Sequence, residues 1–476
     1  MLSLLLFGGL LAGVPGCDSL TSPNFNFTDE TQLTGEPTRT NLLTAAQGIM
    51  IGHRVYMGLA SNDYVGQLGV LGRESYNHDN ADPRFVSQML QIGGLDPTSP
   101  AFGGNFWFEP YTNMKLGAFL LAGVDAASDD PAEGLSPGEK GFMRGFTKTS
   151  RALDLLIIVN TRDEVCGCPI TVPEGTSTEP QPQVGKRAVF DEIVRLLQEA
   201  KTDLQGASSS PFLMPSGYDG IPGVVQVGFF KTAEGYLQFN RALLARVFVY
   251  MGGEFDSGFY AQALTALSES FISESPAAFG LGVFHSFGTG SGDVTNGYFQ
   301  AGNSPNVRAH PSIRDDAEMQ ADGVTPDNRF LTKTREILSR PFQGLCTVDS
   351  ATGETCTVGF NLYQSLTVPI PIIRGEELLL LRAEANIALG SLGAAEADIN
   401  LVRSVSGDLP PVTLTAANAL DQLLYEKRYS LLFEGGHRWI DMRRYDKLDE
   451  LPLDLPNHTV FSAFPIPFDE TNARGN

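Results

Sequence analysis

Apolar residues recur at helical spacing along most of the chain, and several of these stretches come in pairs joined by glycine. Gln238 to Met251 (QFNRALLARVFVYM) sets Ala242, Ala245 and Val249 on one stripe, Gly252-Gly253 stops it, and Tyr260 to Leu267 opens another. That pattern predicts a helical hairpin. Glu376 to Leu389 repeats the plan, with Gly390 and Gly393 as the break and Ala394 to Val402 as the second helix. Small residues at Ala383, Ala385, Ala388, Ala395 and Ala397 suit the close backbone approach of stacked tetratricopeptide-type pairs. Further helices are predicted over Leu42–Leu59, Phe106–Ala126, Pro137–Val159, Ala188–Leu204 and Ala419–Phe433. Together they make about four helix pairs, above the ~3 repeats that bury a continuous core. The expected fold is therefore mostly α, a tetratricopeptide-like helical repeat scaffold. An irregular all-helical domain would satisfy the same periodicity.

Three stretches have another texture. Ser208–Gly228, Gly280–Asn306 and Gln343–Pro371 are rich in Gly, Pro and aromatics, and each exceeds an ordinary connection of ~4–6 residues. They mark a loop-rich region, roughly 208–371, inserted between the helix pairs of one domain spanning 41–476. Loops on a rigid scaffold tend to carry function. A ligand with both apolar faces and polar groups is held by aromatic platforms together with polar side chains. Tyr76-Asn77-His78-Asp79-Asn80, Phe284–Phe287 and Asn296–Phe299 mix the two in predicted loops. Tyr76, Asn77, Asp79, Phe287, Asn296 and Tyr298 are thus candidate ligand residues. The same aromatics would serve equally well as loop anchors packed inward.

Composition narrows the partners. The chain has 476 residues, about three times a ~150-residue domain, and 42% of them are hydrophobic. Lys and Arg number 33 against 55 Asp and Glu, so the net charge is −22 and a phosphate backbone would be repelled. Nucleic acid is excluded as a natural partner. Leu2–Val14 is an uncharged apolar run suited to the core of an export signal (residues 1–16), and after residue 16 no run reaches the ~20 residues of a membrane helix. Val14-Pro15-Gly16-Cys17 resembles a bacterial lipobox, with Cys17 as the lipid attachment site and residues 17–40, rich in Ser, Thr, Asn and Pro, as a tether. On this reading the membrane is reached through the lipid anchor only; the alternative is a plain secretory signal with an incidental cysteine.

Four cysteines remain. Cys346 and Cys356 flank a turn-like Asp349, Ser350 and Gly353, which suits a hairpin-like disulfide. Cys166 and Cys168 are harder to place: a bridge across one residue is strained, and either can reach another loop. The spacings lack the paired C-x2-C of structural zinc and no His lies near in sequence, so neither a metal nor any other cofactor is expected. Asp322-Gly323 with Asp327-Asn328 departs from the EF-hand spacing and reads as an Asx-rich turn. Gly288-Thr-Gly-Ser-Gly292 lacks the Lys-Ser/Thr of a phosphate loop, and the six His show no i, i+4 pair.

Leu423 to Asp446 (LLYEKRYSLLFEGGHRWIDMRRYD) closely resembles the signature of the SusD/RagB family of starch-utilisation-type outer-membrane lipoproteins. Ile372–Val402 resembles the family's extended Arg leading into a Glu-rich helix with Ala383-Glu384-Ala385, closing on Ile399-Asn400-x-Val402-Arg403. Phe464-Pro465-Ile466-Pro467 with Glu470 and Asn472 matches the family's C-terminal close, and Trp107, Tyr111, Asn113, the Arg144 helix and Phe190–Leu204 follow its order. The resemblance implies a surface-exposed lipoprotein of the outer membrane that captures a nutrient, glycan or peptide, and passes it to a TonB-dependent transporter of the SusC type. It implies a binder, not an enzyme. An exported helical scaffold for protein or peptide ligands is the competing reading.

Within the signature, Glu426, Arg428 and Glu434 sit beside core-facing leucines, and Arg438, Asp441 and Arg444, with Trp439 as filler, complete a structural charge network that clamps the last helices. Glu434 and Asp441 are then tied to arginines and kept ionised, which argues against an acid and base pair of a hydrolase.

Overall fold

The computed structural model describes residues 33–475 apart from 36, 62, 100–102, 176, 178 and 347–355. The signal segment, Cys17 and residues 17–32 of the tether lie outside the described residues. The rest of that tether does not stay clear of the domain: Leu33 is fully buried, and Thr38 caps a helix that starts at Arg39 by accepting from Asn41 N.

Eleven helices of eight or more residues carry the described architecture. They are α1 Arg39–Gly58, α2 Tyr64–Leu71, α3 Asn105–Ala126, α4 Pro137–Arg162, α5 Lys186–Leu204, α6 Ala233–Glu254, α7 Gly258–Ser268, α8 Gly375–Ala388, α9 Leu392–Val402, α10 Ala419–Ser430 and α11 His437–Arg444. α1 packs on α3, α4 on α5, α6 on α7 and α8 on α9; α3 also packs on α4, α5 on α6 and α7 on α8. Four pairs thus stack into one continuous array, the tetratricopeptide-like framework that the periodicity predicts. α4 has a strong start: Pro137 stands at its first turn, and the Ser136 hydroxyl accepts from Glu139 N while the Glu139 carboxylate accepts from Ser136 N. The Glu139 carboxylate also pairs with Arg39 at 2.6 Å, joining the N-termini of α1 and α4. At the α8/α9 contact Ala383 and Ala395 are fully buried in one cluster, whereas Ala385 packs into the main core and Ala388 and Ala397 face solvent, so two of the five small residues serve the close approach.

Four two-stranded antiparallel ladders brace the loops: β1 Ser75–Asn77 with β5 Val307–Ala309, β2 Cys168–Pro169 with β3 Gln183–Val184, β4 Gly282–His285 with β8 Ile370–Arg374, and β6 Thr334–Glu336 with β7 Val358–Phe360. The β4/β8 pairing fastens the loop region directly ahead of α8. α6 and α7 fall inside the interval 208–371, so that region is two loop-rich stretches around a helix pair rather than one uninterrupted insertion. Cys346 and Cys356 are joined by a disulfide, and so are Cys166 and Cys168, whose one-residue separation made a local bridge look unfavourable in the sequence. The fold also brings His78 Nε2 to 3.5 Å from Cys346 Sγ, a proximity invisible in the spacing; both sulfurs are committed to the disulfide. Among the described residues no helix is long and apolar enough to cross a membrane.

Candidate functional site

The C-terminal signature builds three charge clusters. In the first, Lys427 lies 2.8 Å from Glu384 and 2.7 Å from Asp441, and Arg444 lies 2.7 and 2.9 Å from the same two carboxylates; all four side chains are almost fully buried. In the second, Glu426 accepts from Arg329 at 2.6 Å and Arg403 at 2.8 Å, and Arg329 also grips Asp327 at 2.6 Å. In the third, Arg374 pairs with Glu376 and Glu434, and Lys333 reaches Glu434 at 3.1 Å. Burial works against ionising these acids, but Arg374 and Lys333 hold Glu376 down to about 2, and Arg444 and Lys427 do the same for Glu384.

The membership differs from the sequence expectation. Glu426 and Glu434 draw their cations from residues 23 to 101 positions away, because the turn at Gly435-Gly436 carries α11 off to the side. Gly436 has a positive φ of 73°, and a Cβ there would stand 2.4 Å from the Leu68 Cβ, so this turn requires glycine. Arg438 has no ion pair among the described residues, and burial pulls its guanidinium down to about 9. Arg428 instead leaves for Asp316, at 2.6 Å near the surface. Trp439 is fully buried and donates from Nε1 to Phe461 O at 2.7 Å. Lys427, Glu384, Arg329, Asp327, Arg403, Arg374, Glu376 and Lys333 were the missed members; Lys427 stands inside the motif, while Arg329 has no sequence signal.

The candidate ligand residues lie mostly inward. Tyr76 and Asn77 are buried on β1, and the Tyr76 hydroxyl donates to Asp454. Asp79 accepts from Ala81 N in a turn. Phe287 is buried, and Asn296 is fully buried, donating to Val368 O and accepting from Tyr298 N. These five anchor loops, because the ladders fold their segments onto the core. Asp322 accepts from Val324 N and Thr325 N, the Asx turn expected of it.

Tyr298 differs, since its ring lies in the wall of a cavity of about 250 Å³. The cavity forms between the 298–307 loop, the β6/β7 hairpin, residues 361–364 and Phe433. Phe433, 1% exposed, lies beneath it. Its ring stacks on Phe360 at 4.2 Å with an 8° angle, and Tyr298 meets it edge-on at 5.3 Å. The Phe433 backbone has φ +56°, a strained conformation for a bulky residue, and is held on both sides: Tyr363 Oη donates to its carbonyl at 2.8 Å, and its N–H donates to Glu74 at 3.2 Å. Polar side chains ring the aromatic floor. Arg335, Gln300, Asn361 and Gln364 line the opening. Asn361 donates to Thr332 O and Gln364 to Asn361 O, leaving both amide oxygens uncommitted among the described residues. Stacked rings with amides and a guanidinium around them are what a sugar ring needs on its face and its edge.

A second groove, about 310 Å³, runs beside Trp107, Tyr111, Pro169 and Pro180. Its polar groups are already engaged: Arg474 with Glu470, Lys115 with Ser177 O, and Gln181 with Thr171 and Glu179 O.

The fold is a helical-repeat array carrying a loop-built cavity with aromatic and polar walls. Residues 360–472 match the SusD family, and the fold of the whole chain is that of solved SusD superfamily proteins. A SusD superfamily protein of Bacteroides vulgatus is similar over 91% of this chain and 96% of its own, at 15% identity and TM-score 0.66. A SusD-like carbohydrate-binding protein of Bacteroides fragilis covers 91% and 98% at 16% identity and TM-score 0.65. A laminarin-binding SusD-like protein covers 91% and 97% at 17% identity and TM-score 0.57. No curated protein sequence matches closely.

Proposed function

We propose that this protein binds an oligosaccharide in the cavity over Phe433 and, as a lipoprotein anchored through Cys17 at the outer surface of the outer membrane, delivers it to a SusC-type TonB-dependent transporter. One observation carries the binding step: the Phe360/Phe433 stack with uncommitted amide oxygens and a guanidinium at its edge. The similar structures that bear carbohydrate-binding and laminarin-binding names support it. The protein acts as a binder rather than a catalyst. Glu434 and Asp441 are each held by two cations, and Arg374 and Lys333 hold the Glu434 carboxyl below its usual range, which ill suits an acid that must donate a proton.

The test is calorimetric titration of the mature protein with a panel of neutral and acidic oligosaccharides, each recovered afterwards for sizing. At least one is expected to bind and to be recovered intact. Phe360→Ala should weaken it about tenfold or more, since buried aromatic anchors dominate such contacts. Cleaved oligosaccharide, or binding indifferent to that substitution, would refute the reading.

A further inference from the structure

The cavity contrasts electrically with the chain that builds it. The protein carries a net charge of −22, yet among the described residues lining the cavity Arg335 is the one charged side chain. Arg335 stands on β6, half-buried, opposite Gly359 in the β6/β7 register. Its Nε donates to Phe360 O at 3.3 Å, and Nη2 reaches Gln300 O at the long distance of 3.5 Å. Both partners are neutral carbonyls. Among the described residues no carboxylate pairs with it, although its neighbours are paired: Lys333 with Glu434 and Glu336 with Arg314. Glu74 and Glu434 are buried and engaged by the Phe433 amide and by Arg374, and neither lines the cavity.

In so acidic a protein a partly desolvated arginine without a counter-ion is an unfilled position. Its guanidinium is a planar fork with a free edge, shaped for two oxygens of a carboxylate or a sulfate. The fork is held at the edge of the aromatic floor by its bond to Phe360 O, where a substituent on a stacked sugar ring would emerge. The rim amides Asn361 and Gln364 offer oxygens to hydroxyl donors, which suits the remaining positions of the ring.

We infer that the cavity selects an anionic glycan, seating the carboxylate of a uronic acid or a sulfate ester on Arg335 while the ring of that unit lies on the Phe360/Phe433 stack. This rests on the reading of the cavity as the glycan site. It adds the substrate class. The acidic surface elsewhere would repel such a chain at long range, so recognition is local to this position, and discrimination against neutral glycans is made by one ion pair.

The experiment titrates the mature protein with oligogalacturonate, sulfated carrageenan oligosaccharides and neutral laminarin oligosaccharides, in wild type, Arg335→Gln, Arg335→Lys and Phe360→Ala. At least one acidic probe is expected to bind ten or more times tighter than the neutral one, and the two acidic arms tell carboxylate from sulfate. Arg335→Gln should abolish that preference, costing the acidic probe at least tenfold more affinity than the neutral one, with the melting temperature near wild type. Arg335→Lys, which keeps the charge without the fork, should fall between. Equal affinity for neutral and acidic probes, an acidic preference that survives Arg335→Gln, or equal losses for both classes in that variant would overturn the inference and leave the glycan site standing. Binding to none of the probes, or binding untouched by Phe360→Ala, would overturn the glycan site itself.

Discussion

Glu426 is buried between Arg329 and Arg403, and its value to the fold is asymmetric. Removing one cation strands charge in a water-poor interior, which costs about 3–5 kcal/mol where replacing a whole cluster by apolar groups can be neutral. Arg403→Met is therefore expected to lower unfolding stability in urea by that amount. Arg438→Met should cost less than about 1 kcal/mol, because Arg438 has no ion pair to lose among the described residues. Glu74 supplies a pH signature. Burial pushes it up to about 7, so between the unfolded value near ~4.3 and 7 the native state holds a proton that the unfolded chain has released, and stability falls as pH rises through that window. Glu376 and Glu384, held near 2, act with the opposite sign: their contribution is complete above ~4.3 and is lost as pH falls towards 2. Melting curves of Glu74→Gln, whose amide can still accept from Phe433 N, should show a shallower decline between pH 5 and 7, with the remainder from Asp63, which burial pushes up to about 6, and should keep the acid limb.

The capping box of α4 makes a prediction for the helix array. Ser136→Ala leaves Glu139 N without its acceptor and should cost ~1 kcal/mol, seen as a lower denaturation midpoint at unchanged slope. Its start was readable because Ser, Pro and Glu stand at fixed offsets ahead of a long apolar stripe. α6 and α8 were equally legible from their periodicity, although α6 begins at Ala233, five residues before its stripe becomes regular. The ladders were not legible: two to five residues each, they join segments such as 75–77 and 307–309 that share no local signal. The same holds for the charge clusters, where motif spacing showed which groups need partners but not that Arg329, Arg374 and Lys333 would provide them. Of the cavity, Tyr298 was visible as a loop aromatic. Phe433 reads as core and is core, 1% exposed, but nothing in FEGG announces that the chain turns left-handed there and sets the ring beneath the cavity.

The assembly as a whole presents an acidic body whose interior is pinned by buried ion pairs and whose ligand groove is built late in the chain. Attachment belongs to this level. Cys17→Ala is expected to move the protein from the outer-membrane fraction to the soluble fraction while leaving glycan affinity unchanged; retention in the membrane fraction would reject the lipid anchor. That separation holds because the cavity draws on residues 298 onward, far along the chain from the anchor.

Phe433 links two jobs that are usually kept apart. One side of its peptide is tied to Glu74 and the other to Tyr363, while its buried ring backs Phe360 beneath the cavity. On the proposed function, the floor of the site is set before a ligand arrives, so little ordering entropy would be surrendered on capture, and release would have to come from something other than the floor relaxing.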